Sequence, residues 1–474
     1  TQAVDEEDQF IVEEFEDLSP EDARLDVVAL LARAACRGGA LEYISDVITR
    51  CMASLTTLSE TADEAVIERV HESCYFLLAL VGRILADAGQ GETPDVPAEF
   101  LSLRAHANAA APPPLDDVFS GVVRVAQADQ HLIAVCGLHS SKVSPRLGAA
   151  ITEALTRLAR TYLFPVAEHE ARVQMLLSEP LRQQARMVCV QRVTADIISR
   201  GGEYKLNMAS SDLLSTLASA AQEPQYAALA DAELWKPILN ASPDSFSSLP
   251  SRAVRSVGFT MAVVVQGDQR TALLASLTQY AVRTCDEIRN RASGAGLPGA
   301  VFENLAVGVG LLRGCARLRR RVDEQFRLEL VSCAHRVVPL VLQTSMPDRP
   351  KYARHALKFL EAVFEAQLLN SASATASARQ RECLADAFRV HREFDAHAKL
   401  DEADAAADLK CVLRVLLCVL DSFGSITQDN APNGPALNGS AHAETVVDVA
   451  FGALHKVQQR IDAQMLSFPK VSTA

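Results

Sequence analysis

The chain has 474 residues and a formal net charge of −13, with 49% hydrophobic and 22% charged residues. That length exceeds one compact core and asks for several domains or one elongated repeat array, while the apolar content excludes a disordered chain. The acidic balance argues against a general nucleic-acid binder, which needs a basic face; it suits partners with basic patches and equally suits plain solubility.

Aromatic residues make up only 5%, with Trp235 the single tryptophan. Alanine and leucine, the strongest helix formers, fill the apolar positions instead. The eleven cysteines include no C-x-x-C pair, and most sit in apolar helical runs such as Lys410-Cys411-Val412 and Leu417-Cys418-Val419. They read as reduced core residues of a cytosolic or nuclear protein rather than as a zinc framework. Arg414 splits the strongest apolar run, so neither a signal peptide nor membrane insertion is expected. The chain starts at Thr1 without an initiator methionine and reads as an internal piece of a longer protein.

Residues 1–18 are acidic, with Asp5, Glu6, Glu7, Asp8, Glu13, Glu14, Glu16 and Asp17. Such a tract is either a docking tail for a basic partner or a solvated segment, and the latter is favoured. Ser19 then suits an N-cap and Pro20 the first helical position, with Glu21 and Asp22 complementing the helix dipole. Leu25, Val28, Ala29, Ala32 and Ala35 recur at helical spacing until Gly38-Gly39, and a second helix spans Leu41 to Leu58.

The stretch from His71 is helical at first, apolar almost all round, and breaks into the loop Ala88-Gly89-Gln90-Gly91-Glu92-Thr93-Pro94-Asp95-Val96-Pro97. Residues 105–115, rich in alanine and proline, form a flexible inter-helix loop on this reading. Ser144-Pro145, Leu249-Pro250-Ser251, Pro298 and Pro350 each open a further helix. Val263-Val264-Val265 is β-branched, yet no partner strand is in sight and the run stays helical. Leu409, Val412, Leu413, Leu416, Leu417, Leu420 and Phe423 mark a late helix covered on more than one side, and residues 428–440 a second flexible loop.

About seventeen helices of roughly 15–25 residues emerge, with no alternating strand pattern. Pairs of about 40–47 residues match the period of HEAT and armadillo arrays. The expected fold is therefore all-α: a HEAT/armadillo-type α-solenoid superhelix of antiparallel helix pairs, one continuous array over residues 1–474. Two or three separate bundles are the alternative.

No motif supplies chemistry. Gly294-Ala295-Gly296-Leu297-Pro298-Gly299 spells G-x-G-x-x-G, but a dinucleotide site needs a preceding strand and Thr284–Arg291 reads as a charged helix. His71-Glu72 starts a zincin-like pattern that fails at Tyr75, and His391 and His397 read as a solvated face. Neither a metal, a cofactor nor enzymatic activity is expected. Arg313, Arg317, Arg319, Arg320, Arg321 and Arg327 form the one dense basic cluster. It is either a contact for an acidic partner surface or a solvated helix end, and the latter is favoured.

One segment has wording that physics does not demand. Leu77-Leu78, Gly82, Leu85-Ala86-Asp87, Gln90-Gly91-Glu92-Thr93-Pro94, Pro97 and Glu99 follow one another in a pattern that resembles the exportins of the importin-β (karyopherin) superfamily of nuclear transport receptors. Asp87, Gly91, Glu92, Thr93, Pro94 and Pro97 are its signature loop. Leu158–Leu163, the stretch from Trp235 to Leu249-Pro250, and Met465–Pro469 match more weakly, and Tyr75-Phe76 stands where the family carries a His-Trp pair.

The resemblance implies a receptor that shuttles between nucleus and cytoplasm. Its partners would be folded protein cargo and RanGTP, bound cooperatively, and nuclear pore proteins; the region carrying the main Ran contact would lie outside this chain. A solenoid suits that role because small rotations per repeat add up to a change of curvature, and two ligands favouring one curvature raise each other's affinity. Cargo and Ran would lie on the concave face, pore proteins on the outer helices. A helical-repeat scaffold without a transport role is the alternative.

Overall fold

The computed structural model describes residues 20–36, 39–58, 63–86, 95–106, 113–291, 299–318, 324–345, 350–365 and 414. The acidic segment 1–18, the loop 428–440, the late apolar helix apart from Arg414, and His391 and His397 lie outside the described residues, as does most of the 105–115 loop. The described residues are all-α, with no strand among them. They divide into two compact units: one holds the chain to Ala241 together with Ser248–Ser256, the other Ser242–Ser247 together with residues from Val257 onward.

The first unit contains α1 (Pro20–Ala34), α2 (Ala40–Thr57), α3 (Glu64–Leu85), α4 (Ala98–His106), α5 (Asp116–Cys136), α6 (Pro145–Leu158), α7 (Glu170–Leu176), α8 (Glu179–Ser199), α9 (Tyr204–Ala221) and α10 (Lys236–Leu239). Local chemistry sets several of their starts. The Asp63 carboxylate accepts from the Ala65 N–H at the head of α3, and the Ser144 hydroxyl oxygen accepts from the Leu147 N–H at the head of α6, where Pro145 takes the first helical position. Gly39, with φ of 88°, makes the turn between α1 and α2 in the left-handed region that a side chain disfavours.

The packing is serial and two-layered. In one layer α2 lies against α5 and α5 against α8; in the other α1 lies against α3, α3 against α6 and α6 against α9. Short connections tie α2 to α3, α5 to α6 and α8 to α9, and each of these pairs is in contact, as antiparallel helix pairs of a repeat array are. Ile48, Leu78, Phe119, Val122, Leu147, Ile151, Val193 and Leu214, each at most 1% exposed, fill the space between the layers.

The even period expected of the sequence is not kept here. The short helices α4 and α7, of 9 and 7 residues, pack on each other between successive pairs, which lengthens the spacing from one pair to the next. The stretch after α9 holds 3₁₀ turns at Pro224–Ala230 and Ala232–Trp235 and the single turn of α10.

The second unit contains the 3₁₀ turn Pro243–Phe246, the latter part of α11 (Ser251–Val264), and α12 (Asp268–Arg291), α13 (Gly299–Cys315), α14 (Glu324–Ser345) and α15 (Pro350–Glu365). Helix α12 packs on α13 and α14, and α15 on α13 and α14, so two consecutive helix pairs stack without inserted helices. Val263 and Val264 are helical, as the missing partner strand predicts. Gly258 meets the Leu311 backbone so closely that a Cβ there would collide with it.

Candidate functional site

Of the signature loop, Pro97 is described; Asp87, Gly91, Glu92, Thr93 and Pro94 lie outside the described residues. Pro97 is buried, and its carbonyl accepts the Phe100 N–H at 3.1 Å as α4 begins. The two flanks of the loop are held by distant side chains. Arg33 of α1 donates to the carbonyls of Ile84 at 2.9 Å and Ala86 at 3.1 Å, and also to that of Arg83, covering the C-terminal carbonyls of α3. On the far side, the Asp95 carboxylate lies 3.3 Å from His169 Nδ1 and 4.0 Å from Arg172 Nη1 at the start of α7.

Of the basic cluster, Arg319, Arg320 and Arg321 lie outside the described residues. Arg313 is half-buried on α13, Arg317 is exposed with its guanidinium 5.1 Å from the Phe259 ring centre, and Arg327 is half-buried on α14. The described members thus range from half-buried to exposed, and Arg317 covers an aromatic face.

The densest polar chemistry of the first unit is a buried ionic network absent from the sequence reading. Arg192 on α8 is fully buried, and Asp129 on α5 and Asp196 on α8 are each 1% exposed. Arg192 Nη1 lies 2.5 Å from Asp129 Oδ2, and its Nε lies 2.9 Å from Asp196 Oδ2. Arg200 Nη1 lies 3.4 Å from Asp196 Oδ1, and its Nη2 donates to the Ser144 carbonyl at 3.4 Å. The Thr152 and Ser210 hydroxyls donate to Asp196 at 3.2 and 3.3 Å. Two arginines and two carboxylates therefore join α5, α6, α8 and α9.

Burial pulls the Arg192 guanidinium down, but Asp196 and Asp129 more than offset it and hold the side chain firmly charged. Gly148 makes the approach possible: a Cβ there would sit 2.7 Å from an Arg200 nitrogen and 2.9 Å from one of Arg192. Arg200 keeps 6% exposure and Asp129 Oδ1 is buried without a hydrogen-bond partner, while the paired charges orient the helices that carry them.

A second arginine works at a helix end. Helix α6 continues into a π-helical turn, Ala159–Leu163, which carries the fully buried Tyr162. The Tyr162 hydroxyl donates to the Leu85 carbonyl at 2.5 Å. Arg182 Nε donates to the Tyr162 carbonyl at 3.0 Å, while its two terminal nitrogens grip Glu170 at 2.7 and 3.0 Å. That fork holds the Glu170 carboxyl below the usual carboxylate range.

Partner contact calls for exposed aromatic and arginine side chains on rigid elements. Helices α3 and α6 provide one such group. The Arg146 guanidinium stacks 4.0 Å from the Tyr75 ring centre and donates to Glu72 at 2.7 Å. Phe76, 44% exposed, meets Tyr75 edge-on at 5.2 Å. One turn away His71 points inward, its Nε2 3.1 Å from the Lys142 carbonyl, and burial lowers its pKa. His71 and Glu72 therefore face opposite ways, and no group of three or more metal-binding side chains exists among the described residues. Helix α1, first in its layer, exposes Val27, Val28, Leu30 and Leu31.

The spacing Arg192, Asp196, Arg200 is an i, i+4, i+8 series, and it was the available signal for the network. No helix among the described residues is long and apolar enough to cross a membrane. No protein-family model matches the chain, and none of the curated proteins does. Among solved structures, the chain is similar to one described as a circular tandem repeat protein with novel repeat topology and enhanced subunit contact surfaces. That alignment has 12% identity and a TM-score of 0.29, and covers 96% of this chain and 94% of that one.

Proposed function

We propose that this chain is part of a nuclear transport receptor of the exportin-4 kind, binding folded protein cargo cooperatively with RanGTP and carrying it through the nuclear pore. The observation that carries this reading is the uninterrupted string from Leu85-Ala86-Asp87 through Gln90-Gly91-Glu92-Thr93-Pro94 to Pro97 and Glu99. The serial helix pairs support it, because stacked repeats can bind a folded protein over an extended face. Binding, rather than catalysis, is then the activity, and exposed Phe76 and Arg146, with half-buried Tyr75 beside them, are a contact point for such a partner.

The test is cargo binding in the presence of Ran loaded with GTP or with GDP. Tighter binding with the GTP form is expected, as linkage between two ligands requires; equal affinity with both would leave a helical-repeat scaffold as the reading. Phe76→Ala and Arg146→Ala weaken partner binding while leaving thermal unfolding nearly unmoved, since both side chains are about half exposed.

A further inference from the structure

Cys51, in the C-terminal half of α2, and Cys74, in the middle of α3, face each other across the first helix pair. Cys74 Sγ donates to the Cys51 carbonyl at 3.9 Å, which sets the two cysteines side by side on contacting helices. Cys74 is 1% exposed, whereas Cys51 is half-buried and open to small solutes. Burial pushes the thiols of Cys36 and Cys189 up to about 11 and about 12, and that of Cys333 up to about 11. Cys51 moves the other way, downward, with the neighbouring Cys74 thiol as the main cause.

We propose that Cys51 and Cys74 form a peroxide-responsive dithiol that closes to an intrachain disulfide between α2 and α3. The Cys51 thiolate attacks one oxygen of a hydroperoxide. An S–O bond forms and the O–O bond breaks; with hydrogen peroxide the products are the Cys51 sulfenic acid and hydroxide. The sulfur is oxidised by two electrons and the peroxide is reduced. The Cys74 sulfur then attacks the Cys51 sulfur, the S–O bond breaks, and the departing hydroxyl leaves as water with the Cys74 proton. The Cys74 sulfur already lies 3.9 Å from the Cys51 carbonyl oxygen, and the disulfide requires it to close on the neighbouring Cys51 sulfur to a bond of about 2 Å. Reduction by a dithiol restores both thiols, so in a reducing compartment the bond is transient.

Trypsin separates the two cysteines, since cleavage after Arg50, Arg69 and Arg83 places Cys51 and Cys74 in neighbouring peptides with no other cysteine. The full chain is treated with hydrogen peroxide, alkylated, digested and mapped by mass spectrometry. A disulfide-linked pair of these peptides is expected, lighter by two hydrogens than their sum and lost on treatment with dithiothreitol. Cys51→Ser removes the link and leaves Cys74 reduced. Cys74→Ala removes the link and slows Cys51 oxidation, and the sulfenic acid that forms persists for dimedone to trap. The wild-type result does not depend on either variant folding. The proposal is overturned if the folded wild-type chain gives no linked peptide while Cys51 stays reduced or proceeds to sulfinic acid. It is also overturned if the link forms equally well in urea, since it then owes nothing to the helix pair.

Discussion

Gly121 on α5 lies so close to Ile48 on α2 that a Cβ on the glycine would stand 2.8 Å from the Ile48 Cγ2. Ile48 is fully buried, so it has no solvent side to move into. Gly121→Ala should therefore destabilise the first unit: overpacking costs about 1–3 kcal/mol, against a helix-propensity gain of roughly 1 kcal/mol. Adding Ile48→Leu, which takes away the β-branch methyl, recovers part of the loss. Urea unfolding of both single variants and the double variant measures the coupling, and strict additivity would refute direct contact.

The buried network makes a sharper prediction. Arg192→Leu leaves the Asp129 and Asp196 carboxylates in a dry interior without their shared cation, and breaking such a pair costs about 3–5 kcal/mol. Arg192→Lys keeps the charge but cannot reach Asp129, Asp196 and the Gly148 carbonyl together, as the guanidinium does, so it is also destabilising, by less. Chemical denaturation followed by circular dichroism ranks the two, and equal stability of Arg192→Leu and the wild type would show the network to be dispensable.

Two groups give the stability a pH dependence of known sign. Arg182 depresses the Glu170 carboxyl in the folded chain, so its contribution is present above the unfolded value of about 4.3 and is lost as pH falls through the folded one. Burial depresses His71; the unfolded chain takes up that proton first, so stability falls as pH drops below about 6.5. Thermal melts from pH 7 to pH 5 should flatten in His71→Gln and remain sloped in Glu170→Gln. The reverse pattern would contradict both assignments.

Trp235 provides an optical reporter. It is the single tryptophan of the chain, fully buried, with its indole N–H donating to the Leu229 carbonyl at 2.7 Å. Its emission should be blue-shifted in the native protein and move red on unfolding of the first unit. Trp235→Phe orphans the Leu229 carbonyl and costs about 1–3 kcal/mol. A native spectrum like that of the denatured chain would place the indole in water.

Helix starts were legible because their causes are local. Ser144-Pro145 carries both the cap and the fixed φ of the first helical residue, and α6 begins there. The pairing of helices was legible as periodicity, since a helix apolar almost all round, such as α3, must be covered on several sides. The inserted helices were not. Helix α7 is too short for its apolar spacing to stand out, and it is placed by packing on α4. The Arg192 network was hidden for another reason. Its partners come from α5, α6 and α9, and a charged residue on a helix is ordinarily solvated, so neighbours alone do not reveal a buried cation. Of the candidate site residues, Pro97, Arg313, Arg317 and Arg327 have a described setting, and in none does the sequence indicate the carbonyl, helix or ring that surrounds it.

The two flanks of the signature loop are fastened from outside it, at Ala86 by Arg33 and at Asp95 by His169 and Arg172. Fastening of this kind separates architecture from wording. The ends of the helices on either side are held by side chains that are not part of the bridge. Replacing residues 87–94 with an equally long glycine-serine linker therefore tests a message and not a scaffold.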